Sequence, residues 1–108
     1  ASFFVKNATQ DFLFIRPSGN PINAEGFENM ISGDVVQEKA EITKIHRLEF
    51  LSENIVMCIF TLSSKFTYKG TPNDDLPTVT SIFKKEDNIW KVHWMQRSTG
   101  NSDLSLWD

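Results

Sequence analysis

Asp11-Phe12-Leu13-Phe14-Ile15-Arg16-Pro17-Ser18-Gly19-Asn20-Pro21 decides how this chain is read. An apolar run stops abruptly on a Pro-Ser-Gly-Asn-Pro turn, as a strand does when it enters a tight loop. Alternation along the strand places Phe12 and Phe14 on one face and Leu13 and Ile15 on the other, with both pairs expected to be buried. Arg16 continues the Phe12/Phe14 face. A guanidinium at the rim of an apolar surface requires a partner or a ligand.

Upstream of that strand, Ser2 to Ala8 reads as the end of a helix, with Phe4 and Ala8 on one side. Downstream, Asn23 is a good N-cap, Glu25 suits a first turn and Gly33 a stop. A short helix over residues 24–33 follows, with Phe27, Met30 and Ile31 on its apolar face. Residues 38–51 are ambiguous. Ile42, Ile45 and Leu48 lie three apart, which is a helical hint. Their β-branched neighbours and the strand partner that follows favour a long strand, one that admits a bulge. Ser52-Glu53-Asn54 is a turn. Ile55 to Lys69 is a second long strand, apolar enough in its first half to be covered on both faces. Gly70 to Pro77 reads as a loop. Residues 78–85 and 90–98 are two further strands, joined across Glu86-Asp87-Asn88-Ile89. A run of consecutive strands with segregated helices argues for an α+β fold with an antiparallel sheet.

The chain has 108 residues, which predicts one domain over 1–100 and a tail over 101–108. Leu104, Leu106 and Trp107 in that tail are expected to dock, because free termini are normally polar. Charged residues are 23%, apolar residues 40% and the formal net charge is -3. Without a basic block, a nucleic-acid partner is not expected. No apolar run reaches membrane length and no signal segment is read, so no membrane partner is expected. Cys58, the one cysteine, reads as a small buried hydrophobe. No internal disulfide is available to it, which makes the cytoplasm the expected compartment. Asn7-Ala8-Thr9 matches the glycosylation pattern by chance.

Two segments carry a resemblance. Asp11 to Gly19 is similar, at the same spacing, to the strand and Pro-x-Gly turn of the ketosteroid isomerases. Ile89-Trp90-Lys91-Val92-His93-Trp94-Met95-Gln96-Arg97-Ser98 resembles the last strand of the calcium/calmodulin-dependent kinase association domain, which a Trp opens and an Arg-Ser closes. Together they resemble the nuclear-transport-factor-2-like superfamily. The resemblance implies a cystatin-like curved antiparallel sheet wrapped around short helices, forming a cone with an apolar pocket. Members begin with a long helix that closes the cone. Here only the stretch that would succeed it is read, at Ser2 to Ala8, so the long first helix is expected to be lacking. The isomerase general base is an Asp immediately before the loop proline, and Arg16 occupies that position. The oxyanion tyrosine of that family belongs to the missing helix. Its buried acid on the penultimate strand has no match among Thr80, Ser81, Ile82 and Phe83. A guanidinium that stays charged cannot abstract a proton, so isomerase chemistry is not carried over.

The candidate ligand-binding residues are Arg16, Arg97, Tyr68, His93, Ser98 and Phe14. Arg97 ends the last strand, in phase with Met95 and His93. With Arg16 it would clamp a small carboxylate or other anion; alternatively, it pairs internally with Glu38, Glu41 or Asp11. The resemblance also implies an arginine in the pocket at this position. His93 reads as a proton carrier or as a satisfied structural histidine. Tyr68, with Ser98 and Gln96, would supply hydrogen bonds. Trp90 and Trp94 share one strand face and pack against another surface. Asp74-Asp75 reads as exposed loop. Two isolated histidines without carboxylates at ligand spacing predict no metal site, and no motif calls for a cofactor. The functional expectation is a pocket protein for a small acidic or amphipathic organic ligand. The alternatives are a homo-oligomerisation module, dimeric or larger, that uses the outer face of the sheet, and an enzyme of the polyketide-cyclase or dehydratase kind.

Overall fold

The computed structural model describes residues 3–17 and 19–98. The expected docking of Leu104, Leu106 and Trp107 lies outside them. A short helix α1 (Phe3–Lys6) leads into strand β1 (Ala8–Ile15). Ala8 begins the strand rather than ending the helix. The turn after β1 closes through Gly19 N–H donating to the Arg16 carbonyl oxygen at 2.8 Å. Gly19 has φ +87°, a conformation glycine adopts without strain. A two-residue strand β2 (Pro21–Ile22) then pairs back onto Phe14 and Ile15. Helix α2 (Ala24–Asn29) follows, capped by Asn23, whose Oδ1 accepts the Gly26 N–H at 2.8 Å. It runs on as a π-helical turn, Met30–Asp34, so Gly33 does not stop it.

The remaining strands are β3 (Val35–Ser52), β4 (Ile55–Tyr68), β5 (Thr71–Asp75), β6 (Thr78–Glu86) and β7 (Ile89–Arg97). They form one curved sheet in the order β2-β1-β7-β6-β4-β3, and β5 pairs with β4 beyond the end of β6. The long strands are the antiparallel meander expected. Among the described residues, the one parallel pairing is β1 with β7. The stretch 70–77, expected to be a loop, instead contains β5. Lys69 and Gly70 both have positive φ and form a two-residue hairpin turn between paired Tyr68 and Thr71. β4 extends well past its partner β6, and pairing with that free length overrides the loop-like composition Thr-Pro-Asn-Asp-Asp. Asp87 and Asn88, also at positive φ, make the same kind of turn between β6 and β7.

The helical spacing of Ile42, Ile45 and Leu48 has its cause in β3. The β3–β4 register skips one residue after each of Gln37, Ile42, Ile45 and Phe50. Each bulge adds a residue without turning the next apolar side chain to the far face. Ile42, Ile45, Leu48 and Phe50 therefore stand opposite Leu62, Phe60, Cys58 and Val56, on a single face. A bulge also corrects the reading of β7. Ile82 pairs with Trp94 and Phe83 with Val92, which leaves His93 as the extra residue. The slip puts Trp90 and Trp94 on opposite faces, and Arg97 shares its face with Met95 and Val92 rather than with His93.

The core sits where α1 and α2 cross β1 and β7. Phe12, Phe14, Ala8 and Val92 are buried there. Phe27 from α2 centres an aromatic cluster, with ring centroids 4.5 Å from Phe4, 5.0 Å from Phe14 and 6.0 Å from Phe12. Leu13, expected to be buried on the other face, is 41% exposed because none of the described residues forms a layer over it. Cys58 is half-buried. No helix among the described residues is long and apolar enough to cross a membrane.

Candidate ligand-binding cavity

The concave face of the sheet and the end of α2 enclose a cavity of about 520 Å³. Its walls follow from strand alternation. Phe60, Leu62, Ser64, Phe66 and Tyr68 line it from successive inward positions of β4. Phe14 enters from β1, and Phe27, Met30 and Ile31 come from α2 and its π-helical turn. Val79 enters from β6, and Met95 and Arg97 from β7. Arg16 and Pro17 stand at the end of β1, and Gln37 and Asn73 come from β3 and β5. The volume falls within the range of small-molecule sites, as does the mostly apolar wall with a few polar groups.

Of the six candidate residues, the structure brings Phe14, Arg16, Tyr68 and Arg97 to this cavity. His93 and Ser98 are not brought to it. His93, displaced by the bulge, has Nδ1 2.7 Å from the hydroxyl of buried Thr9, joining β7 to β1. Ser98 closes the sheet edge: its hydroxyl accepts the Thr78 N–H at 2.9 Å, and its N–H donates to the Thr78 carbonyl oxygen at 3.0 Å.

The two arginines are held differently. Arg16 Nε donates to the Asn20 carbonyl oxygen at 2.9 Å, within the exposed turn. Arg97 Nη2 donates to both carboxylate oxygens of Asp75, each at 3.0 Å, with side-chain exposures of 18% and 19%. Its guanidinium also lies 5.4 Å from the centre of the Phe66 ring. The internal partner is thus neither Glu38, Glu41 nor Asp11. Sequence reasoning missed Asp75 because it read 70–77 as loop. The signal was present: a β4 of 14 residues outruns a β6 of 9, so its last turn-proximal residues need another partner. Glu28 was missed too. It is buried, and its Oε1 accepts the Phe4 N–H at 2.8 Å, tying α2 to the first turn of α1.

Chemically, the site offers an apolar chamber with hydrogen-bonding groups at the Arg97 end. Among the described residues, no carboxylate or imidazole lines the cavity, and none group as three or more potential metal ligands.

The comparisons agree with this architecture. A family model described as "Protein of unknown function (DUF3804)" matches residues 1–108. A solved NTF2-like protein of unknown function from Prochlorococcus marinus is 71% identical, with a TM-score of 0.85 over 98% of this chain and 84% of that one. A putative Ca/calmodulin-dependent kinase II association domain from Exiguobacterium sibiricum shares the fold at 16% identity, with a TM-score of 0.82 over 93% of this chain and 78% of that one. A ketosteroid isomerase-like protein from Erwinia carotovora atroseptica does so at 14% identity, with a TM-score of 0.70 over 88% of this chain and 77% of that one. No curated protein matches the chain. The chain belongs to the DUF3804 family of unknown function, within the NTF2-like superfamily.

Proposed function

We propose that this protein binds a small amphipathic organic molecule in the cavity between α2 and the sheet. The observation that carries the reading is the cavity itself: about 520 Å³, walled by Phe14, Phe27, Phe60, Leu62 and Phe66, with Arg97 at one end. An apolar chamber of that size gains from taking up an apolar body, and Arg97 would receive one polar end. Among the described residues, the wall offers hydrogen-bonding groups beside its apolar surface, which suits the binding of an amphipathic molecule. A ligand-observed NMR screen of amphiphiles of about ten heavy atoms tests this. Saturable binding is expected, and Leu62→Trp, which projects an indole ring into the chamber, should abolish it. If no amphiphile binds, or if Leu62→Trp leaves binding intact, the reading is wrong.

Self-association is a second reading, favoured by the exposed apolar run Ile42, Ile45, Leu48 and Phe50 on β3, which lies on the concave face of the sheet and not on the outer face expected from the sequence. Exposed patches of this kind mark interfaces. One of the solved structures sharing the fold is described as an association domain, which lends support. The occupant we infer is a second copy of the chain. Sedimentation equilibrium at micromolar concentration should show a dimer or larger species, and Leu48→Glu should convert it to monomer. A monomeric wild type would remove this reading.

A further inference from the structure

We propose that the cavity prefers an uncharged carboxamide head group to a carboxylate, and that Asp75 sets this preference. The inference rests on the ligand-binding reading above and narrows it.

Arg97 is one of two cationic groups lining the cavity, and Asp75 already compensates its charge. Both bonds to Asp75 leave from Nη2, so Nε and Nη1 are not used by that pair. Those donors suit an acceptor oxygen. Asp75 is not among the residues that line the cavity, although Ser64, its register partner on β4, is. A ligand carboxylate on Arg97 would therefore share one guanidinium with a second carboxylate, and like charges sharing a site repel. A neutral carbonyl oxygen takes the same charge-assisted hydrogen bond without that repulsion. Arg16 also lines the cavity, but it sits in the turn beyond β1, where its Nε donates to the Asn20 carbonyl oxygen and solvent partly screens its charge.

The surroundings of Arg97 fit the second half of an amide. Gln37, Phe66 and Asn73 form one row across β3, β4 and β5, and Ser64 and Asp75 form a neighbouring pair. Gln37, Ser64, Tyr68 and Asn73 all line the cavity, and all are uncharged hydrogen-bonding side chains. Asn73 commits its Nδ2 to the Thr71 carbonyl oxygen at 3.0 Å. Gln37 commits its Nε2 to the backbone carbonyls of Lys39 and Lys65. Gln37 thus spends both Nε2 hydrogens and Asn73 one of its two, and both side chains keep their carbonyl oxygens as acceptors. A head group presenting one acceptor to Arg97 and N–H donors to Asn73 or Gln37 is a primary amide; a carboxylate has no donor to give.

The test compares 4-phenylbutanamide with 4-phenylbutanoate on the full chain at pH 7.5, by titration NMR. The wild type should bind the amide at least fivefold more tightly than the acid. Asp75→Asn removes the charge and keeps an acceptor of the same shape, and should shift the ratio of affinities toward the acid by about tenfold. Raising salt from 0.05 to 0.5 M should leave amide binding within twofold. Tighter binding of the acid by the wild type, lost in Leu62→Trp, overturns this inference while the pocket reading stands. If neither probe binds, and the wider amphiphile screen is also empty, both fall. A folded Asp75→Asn variant with an unchanged ratio also overturns the role given to Asp75; the wild-type comparison needs no variant at all.

Discussion

Phe12 and Phe50 are the same residue type on the same face of the same sheet, yet Phe12 is 1% exposed and Phe50 is 60% exposed. The difference lies in what covers them. Phe12 lies under Phe4 and Phe27, with ring centroids 5.1 Å and 6.0 Å away. Phe50 meets only the edge of Trp90 among aromatic rings of the described residues, at 6.1 Å. Strand alternation decides which face a side chain takes, but the second layer decides whether that face is core or surface. The cavity lies between these regimes, where the cover from α2 gives out over β4.

The largest effect should come from breaking the covered end. Phe12→Ala should cost about 3–5 kcal/mol, as large-to-small changes in packed cores do. Phe50→Ser should stay within about 0.5 kcal/mol if its ring faces water. Urea denaturation of both variants measures the contrast. A Phe50→Ser cost close to that of Phe12→Ala would mean that β3 is covered in solution, which sharpens the self-association reading.

Removing Asp75 comes next. Asp75→Ala leaves Arg97 partly buried beside Phe66 without its carboxylate, and should cost about 1–3 kcal/mol. Amides of β5 should then lose protection against hydrogen exchange while those of β1 keep theirs. Equal loss in both strands would show that the ion pair does not act locally on β5.

How much of this was legible beforehand differs between the two ends. The Phe12/Phe14 strand, its turn, the Asn23 cap and the order of the long strands were readable because each rests on local chemistry: alternation, positive φ and side-chain capping. Arg16 and Arg97 could be placed near one cavity because both end strands that the resemblance brought together. Bulges were not readable in detail. The three-residue spacing of Ile42, Ile45 and Leu48 fits a helix and a repeatedly bulged strand alike, and only pairing with β4 separates them. The same limit hid the slip at His93, which parts Trp90 from Trp94. β5 was hidden because its residues have turn composition and its pairing is supplied from outside the segment.

A smaller effect is expected at the cap that positions α2 over the cavity. Asn23→Ala removes the side-chain acceptor of the Gly26 N–H and should cost about 1 kcal/mol. If Phe27 is held over Phe12 and Phe14 chiefly by the aromatic cluster, the loss should appear in stability and leave the cavity wall in place. Unchanged methyl shifts at Met95 by NMR would show this. Shifted Met95 signals would mean that the cap, not the cluster, fixes the helix.

The smallest effect belongs to the charged side of β3, opposite the apolar run. Arg47 and Glu49 pair at 3.0 Å with side-chain exposures of 60% and 47%. Two residues apart on one strand, they share its outer face, where the register sets them against Ile59 and Met57. Water and salt screen such a pair, and holding two long side chains in one geometry costs entropy. Arg47→Ala should therefore change stability by less than about 0.5 kcal/mol in urea, at low and at moderate salt. A loss above about 1 kcal/mol that persists in salt would contradict an exposed outer face. Something would then cover β3 from that side as well, and the contrast drawn between Phe12 and Phe50 would have to be extended to both faces of the strand.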